Sequence, residues 1–158
     1  MSCHASPLWF QHLHAALPKL EAQNFPSGVY LVATPIGNLF DITLRALHVL
    51  EKANVVVAED TRRTHLLLQA YGLSPVMMSY HDHNWEQSLQ KIVDKVQEGQ
   101  RVAVVSDAGT PLIADPGFRL VMQCRAKNIP VFALPGPSSV LAALTVAGMV
   151  PYPFHFFG

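Results

Sequence analysis

Five short, largely apolar runs constrain the fold of this chain more than any other feature of its sequence. In order they are Val29–Ala33, Val55–Ala58, Val76–Ser79, Val102–Val105 and Val131–Leu134. A short apolar run without polar alternation is typical of a parallel strand that is covered on both faces. Segments with helical spacing separate the runs, so strands and helices alternate along the chain. The sequence therefore predicts an α/β fold: a five-stranded, largely parallel sheet flanked by helices.

The first predicted connection illustrates how the helices are recognised. Asp41 has the side chain of a good N-cap, and we expect it to begin a helix that runs to Lys52. Leu44, Leu47 and Leu50 are predicted to share the face of that helix that packs on the sheet.

Every unusual loop of the chain follows one of the predicted strands. These loops are 34–41, 59–64, 80–84, 106–117 and 135–139. The carboxyl ends of parallel strands lie at one edge of a sheet, and open α/β sheets bind their ligands at that edge. We therefore expect the five loops to converge on a single cleft.

The loop 106–117 contains two Gly, two Pro and two Asp, and it separates an apolar strand from a helical segment. Glycine lets a ligand approach the backbone closely, and proline restricts the backbone. With the hydroxyls and apolar side chains of neighbouring loops (Thr34, Ser106, Thr110, Ser138, Ser139, Ile36, Ile113, Leu134), this loop suits a small ligand such as a nucleoside. Alternatively, Ser138 caps a helix and Thr110 closes a turn. The chain has no Walker A sequence and no complete Gly-x-Gly-x-x-Gly.

The densest polar cluster is Glu59–Thr64. A carboxylate beside arginine forms either a structural ion pair or a helix cap. In a functional role, Asp60 or Glu59 would accept a proton, while Arg62 or Arg63 would bind a phosphate. His81 and His83 follow the third strand, but no third metal ligand is evident, and we expect a polar or general-base role and no metal.

Composition narrows the class of protein further. The chain has 158 residues, enough for one domain, with 11 basic and 11 acidic residues and a net charge of zero. This balance argues against an autonomous nucleic-acid-binding domain. Cys3 and Cys124 form no disulfide or metal pattern, and Cys124 is expected in the core, which fits a reducing cytoplasm. No apolar run approaches the roughly 20 residues that span a membrane. Residues 1–27 are expected to be a partly disordered extension with a short helix near Phe10–Leu17.

Five segments together resemble the ribosomal RNA small subunit methyltransferase I family of the tetrapyrrole methylase superfamily. They occur in the family's order and extend from about Gly28 to Gly158. The segments are Tyr30–Leu47, Ala58–Thr64, Ser79–Asn84, Val105–Gly117 and Pro135–Ser139.

The resemblance implies S-adenosylmethionine-dependent methylation of a cytidine ribose 2′-hydroxyl in the decoding region of 16S rRNA, by a homodimer. It also implies residues that bind the cofactor: Pro35, Ile36, Gly109, Thr110, Ile113, Ser138 and Ser139. Where tetrapyrrole methylases carry Gly-Asp-Pro, this chain has Gly109-Thr110-Pro111, so no cofactor-binding carboxylate is implied there. Asp60 or Glu59 would be the general base, and Arg62 would contact RNA or fix that carboxylate.

The family has a second α/β domain after an aromatic Phe-x-Phe-x-Gly joint, and the present sequence ends at Phe154–Gly158. We therefore expect residues 28–158 to be the family's N-terminal domain, with the second wall of the cofactor site and the C-terminal domain absent. Two alternatives remain. The protein could methylate another acceptor of the superfamily, such as a tetrapyrrole carbon or a modified histidine, or it could be a truncated, non-catalytic domain.

Overall fold

A computed structural model describes residues 7–80, 85–113 and 118–158. Its centre is a five-stranded sheet in which all paired neighbours are parallel, in the order β3-β2-β4-β1-β5. The strands are β1 Gly28–Val32, β2 Val55–Ala58, β3 Met77–Ser79, β4 Arg101–Val105 and β5 Val131–Leu134. The predicted fold class is confirmed, and each strand lies within one or two residues of its predicted position.

Helices cover both faces of this sheet. The helices are α1 Leu8–Glu21, α2 Leu44–Lys52, α3 Thr61–Ala70, α4 Trp85–Gln97, α5 Phe118–Ala126 and α6 Ser139–Val146. Those that pack on the sheet are α2 and α3 on one face and α4 and α5 on the other. Successive strand residues point to opposite faces, so Val55 and Val57 of β2 belong to one apolar cluster and Val56 and Ala58 to another.

Each apolar cluster joins the sheet to a different pair of helices. Ile92 of α4 and Leu120 and Cys124 of α5 are fully buried on one face. Leu50 of α2 and Leu68 of α3 are buried on the other. Burial raises the pKa of the Cys124 thiol to about 11 because the thiolate would lose its hydration. Cys124 is therefore a core residue, as predicted.

The beginning of α2 differs from the prediction. Asp41 does not cap this helix, because it ends a short 3-10 turn, Leu39–Asp41. Thr43 is the N-cap, and its hydroxyl accepts a hydrogen bond from the amide of Ala46 at 3.1 Å. A threonine directly before the helical residues satisfies an unpaired amide of the first turn, and Asp41 lies too far upstream to do so.

The prediction of which α2 residues pack on the sheet is also wrong in part. Leu44 is 42% exposed, whereas Ala46, Val49 and Leu50 are the buried residues. A strict spacing of three residues drifts about 60° around the helix at each step. The spacing i, i+3, i+4 therefore describes the buried face better than the three leucines do.

The helix near the N-terminus is longer than predicted, since α1 spans Leu8–Glu21 and none of its residues is buried. Beyond it, Phe25 packs edge-on against the ring of Tyr30 at 4.5 Å between centroids. Phe25 also packs against the apolar cluster that contains α2. The end of the predicted extension thus contacts the core. Across the described residues, no helix combines the length and apolarity required to cross a membrane.

Candidate functional site

The loop after β4 is held directly against the loop after β1. Thr34 and Gly109 exchange two backbone hydrogen bonds, with the Thr34 amide donating at 2.9 Å and the Gly109 amide donating at 3.0 Å. The buried Thr34 hydroxyl also donates to the carbonyl of Ser106 at 3.3 Å. These contacts fix the two loops to each other at the carboxyl edge of the sheet.

The loop after β5 joins the same assembly. The Thr110 hydroxyl donates to the carbonyl of Pro137 at 3.1 Å. Gly136 lies so close to the first loop that a Cβ added there would be 2.8 Å from Cβ of Ala33. The loops after β1, β4 and β5 therefore converge, as expected from a parallel sheet. The Thr110 hydroxyl thus has a structural partner in another loop, which differs from the alternative that it closes a turn.

The central loop has an unusual backbone where it meets its neighbours. Gly109 has φ of 78°, and an added Cβ would lie 3.3 Å from Cγ2 of Ile36. Leu112 has φ of 69° although it is not glycine. Non-glycine residues with such backbone angles are concentrated at ligand-binding and active sites.

Seven residues predicted to bind a cofactor lie in these three loops or at the first residue of α6: Pro35, Ile36, Gly109, Thr110, Ile113, Ser138 and Ser139. Ile36 and Ile113 are large apolar side chains that remain 39% and 57% exposed. The Ser138 hydroxyl caps α6 by accepting from the amide of Leu141 at 3.4 Å, so it has the structural role considered as the alternative. Exposed apolar side chains beside close-packed backbone fit a ligand with a flat apolar part and polar groups.

The second loop carries Asp60, which caps α3. Its carboxylate accepts from the amide of Arg62 at 2.8 Å and from the amide of Arg63 at 3.5 Å. The Arg62 guanidinium makes two further bonds to the carboxylate, at 3.2 and 3.0 Å. The hydrogen bonds from the Arg62 side chain and then from its amide lower the pKa of Asp60 to about 2. Asp60 is thus both an ion-pair partner and a helix cap, and it is a weakly basic carboxylate.

Glu59 has a different environment from its neighbour. It is exposed and borders a shallow depression at the carboxyl ends of β2 and β4. Tyr80, Ser106 and Leu112 line the same depression. Glu59 therefore lines the depression beside the central loop, whereas the carboxylate oxygens of Asp60 accept hydrogen bonds from Arg62 and Arg63 at the start of α3.

Asp107 was not assigned any role from the sequence, and the structure shows that this residue of the central loop contacts the second loop. Its Oδ1 accepts from the backbone amide of Asp60 at 3.3 Å, and its Oδ2 accepts from the Arg63 guanidinium at 3.0 Å. The available signal was its position two residues after the end of β4, at the edge where the arginine-rich loop was expected to converge.

The predicted loop 80–84 falls mainly outside the described residues, which include Tyr80 but not His81, His83 or Asn84. The same applies to Cys3 and to residues 114–117 of the central loop. In the described ranges 7–80, 85–113 and 118–158, no group of three His, Cys, Asp or Glu side chains is arranged to hold a metal ion.

Comparison with known sequences identifies the family of this chain. The sequence model described as Tetrapyrrole (Corrin/Porphyrin) Methylases matches residues 28–155. The chain belongs to the tetrapyrrole methylase family.

One curated relative is ribosomal RNA small subunit methyltransferase I of Escherichia coli O157:H7, to which the chain is 50% identical over 137 residues. This match covers 87% of the chain and 48% of the relative. The protein of the same name from Neisseria meningitidis serogroup A is 51% identical over 130 residues, which are 82% of the chain and 45% of the relative. The chain thus spans about half the length of these relatives.

Solved tetrapyrrole methylases share the architecture. Uroporphyrin-III-C-methyltransferase from Thermus thermophilus superposes with a TM-score of 0.58 at 28% identity, over 75% of this chain and 53% of that one. The cobalamin biosynthetic enzyme cobalt precorrin-4 methyltransferase gives a TM-score of 0.61 at 22% identity, over 75% and 49% of the two chains. At 22% identity, the similarity to the precorrin-4 enzyme shows a shared fold only.

The contact between Gly136 and Ala33 generates a first prediction. Gly136→Ala should destabilise the protein by about 1–3 kcal/mol, because its methyl group would overlap that of Ala33. Thermal and urea unfolding measure the loss. The double variant Ala33→Gly/Gly136→Ala removes the overlap. Its loss of stability should therefore be smaller than the sum of the losses in the two single variants. Additive losses in the double variant would contradict the contact.

The ion pair between Arg62 and Asp60 predicts an acid-dependent effect. The carboxyl of Asp60 should titrate near pH 2, below its ordinary value of 3.8. Since the folded pKa is the lower one, its contribution to stability is complete above about pH 4 and is lost as the pH falls through 2. The chemical shift of the Asp60 carboxyl carbon, followed by NMR as the pH is changed, measures the midpoint of this titration. Arg62→Gln should raise it toward 3.8, whereas the remote control Arg125→Gln should leave it unchanged. A wild-type midpoint near 3.8 would refute the pairing.

Proposed function

We propose that this protein is the N-terminal, cofactor-binding part of an S-adenosylmethionine-dependent methyltransferase. Its acceptor is the ribose 2′-hydroxyl of a cytidine in the decoding region of 16S rRNA, in the bacterial cytoplasm. The observation that carries the proposal is the contact among the loops after β1, β4 and β5. These loops form one surface, and their sequences are those by which the chain resembles rRNA methyltransferases.

The cofactor surface consists of the seven residues named above. Ile36 and Ile113 offer exposed apolar side chains, and Gly109 leaves space against Ile36 that a Cβ would fill. Thr110 holds the loop after β5 in place through Pro137, while Ser138 and Ser139 begin α6. When bound, S-adenosylmethionine supplies a methyl group activated by its sulfonium.

Glu59 is the residue that we assign to proton transfer. A ribose hydroxyl is a poor nucleophile near neutral pH, so a general base assists its attack. With S-adenosylmethionine bound, the carboxylate of Glu59 would accept the proton that the ribose hydroxyl loses. Asp60 is too weakly basic for this task, because Arg62 and two backbone amides stabilise its ionised form. Asp60 instead keeps Arg62 at the entrance of the site, where a guanidinium suits an RNA phosphate.

A second candidate function has the same fold and another acceptor. The solved neighbour at 28% identity is named as a uroporphyrin methyltransferase, so a tetrapyrrole carbon is the alternative acceptor. The third possibility is a domain that does not catalyse methyl transfer by itself.

Calorimetric titration of the purified chain with S-adenosylmethionine separates these functions first. Micromolar binding supports the cofactor surface, and a folded sample that binds nothing supports the non-catalytic alternative. Transfer of labelled methyl to small ribosomal subunits, and not to a porphyrinogen, supports the rRNA function. The reverse preference would favour the tetrapyrrole acceptor.

The assignment of the general base has its own test in the same assay. Glu59→Gln should lower kcat by about 10²–10⁴-fold, because it removes the group that accepts the proton, while leaving S-adenosylmethionine affinity within about twofold. Glu86→Gln, on the first turn of α4, is the control of identical chemistry and should retain full activity. Unchanged turnover of Glu59→Gln would exclude this carboxylate as the base.

The exposed apolar surface of α6 supports the further proposal that two copies associate. None of its residues is buried, and Leu141 and Val146 are 59% and 83% exposed. A helix that is apolar all round is normally covered by protein. Light scattering should give twice the mass of 17.4 kDa, and Leu141→Glu should reduce it to the monomer value. Leu66→Glu, at a 68% exposed position of α3, is the control. A monomeric wild type would refute the dimer.

A further inference from the structure

Asp107 completes the N-terminus of α3 from a distant part of the chain. Helices often begin with a capping box, in which the third helical residue is a Glu or Gln that accepts from the amide of the N-cap residue. In α3 the N-cap is Asp60 and the third helical residue is Arg63, which has no acceptor atom on its side chain. Asp107 accepts from the Asp60 amide in its place, across 47 residues of sequence.

The same carboxylate also fixes Arg63. Its second oxygen accepts from the guanidinium at 3.0 Å, and the side chains of Arg63 and Asp107 remain 71% and 30% exposed. An exposed pair of this kind contributes little stability. Its effect is geometric, because one side chain defines both the start of α3 and the direction of an arginine at the site.

Asp107 lies in the central loop, two residues before Gly109. Through Gly109 and Thr110 that loop contacts the loops after β1 and β5. Asp107 is therefore the point at which the proposed cofactor surface meets the proposed acceptor side, where Glu59, Arg62 and Arg63 are located.

The geometry points to Asp107 as a positioning residue that links the cofactor loop to the N-terminus of α3 and thereby orients Glu59 and Arg63 toward the acceptor. This inference rests on the proposed methyltransferase function. Asp107 does not transfer the proton and does not contact the methyl group in this scheme.

Asp107→Asn is the sharpest probe because it changes no size. Both carboxylate oxygens act as acceptors, and an asparagine would present an NH₂ group to either the Asp60 amide or the Arg63 guanidinium. At least one of the two bonds must then be lost. The substitution also raises the net charge from 0 to +1, as does the control Asp94→Asn at an exposed position on α4.

Amide hydrogen exchange of the full 158-residue chain tests the link itself. In Asp107→Asn, we expect peptides covering residues 59–64 to exchange several-fold faster, although the substitution is in another loop. Asp94→Asn should exchange like the wild type. Arg63→Lys keeps the charge but alters the partner of Asp107 on α3. The same peptides should therefore exchange faster than in the wild type, but by a smaller factor than in Asp107→Asn. Acceleration confined to residues 106–109 would overturn the inference.

RNA binding and methyl transfer then test the positioning role. Asp107→Asn should lower kcat about tenfold or more, with the KM for S-adenosylmethionine nearly unchanged, because misplaced reacting groups reduce rate more than cofactor affinity. Its affinity for an rRNA fragment should not exceed that of Asp94→Asn. If Asp107→Asn instead gains RNA affinity and retains kcat, its effect is one of charge alone and the positioning role is wrong. A wild type without any transfer refutes the proposed function, while the exchange experiment still decides whether the link exists.

Discussion

The geometry of the whole site depends on the contacts made by one loop, which leaves the middle strand of the sheet. Because β4 lies between β2 and β1, the loop after it can contact loops from both neighbours. It pairs with Thr34 on one side through Gly109 and accepts bonds from Asp60 and Arg63 on the other through Asp107. Thr110 extends the contacts to Pro137, after the edge strand β5. A backbone with positive φ at Gly109 and Leu112 brings these groups into reach.

Much of this arrangement could be predicted from sequence, because strands buried on both faces leave an unmistakable pattern of short apolar runs. Parallel pairing then requires that the loops after those strands share an edge. The role of Asp107 could not be predicted in the same way. It depends on the register of β2 against β4, in which Ala58 is paired with Val105, and this register brings Asp60 beside Asp107. No local pattern in either segment specifies that register.

Two of the predicted site residues illustrate why residue type alone did not determine chemical role. Asp60 and Glu59 are adjacent acidic residues, and from the sequence either could have been the general base. Their environments differ because Asp60 is the N-cap of a helix, and unpaired amides in the first turn of a helix attract a carboxylate. Those amides and Arg62 stabilise its charge and make it a poor base. Glu59, one residue earlier, precedes the helix and lies against the depression beside the central loop.

The side of the site formed by β5 and α6 is held differently from the rest. Strands β1, β2 and β4 lie between packed neighbours, whereas β5 is an edge strand whose Ala133 is exposed, and α6 buries none of its residues. The loop between them carries Ser138 and leads into Ser139, and its attachments to the other loops include the Thr110–Pro137 hydrogen bond and the Gly136–Ala33 contact. A protein surface that covers α6 would restrict this loop further. The proposed association through α6 and the proposed cofactor binding at its first turn would then stabilise the same conformation, and each would strengthen the other by linkage.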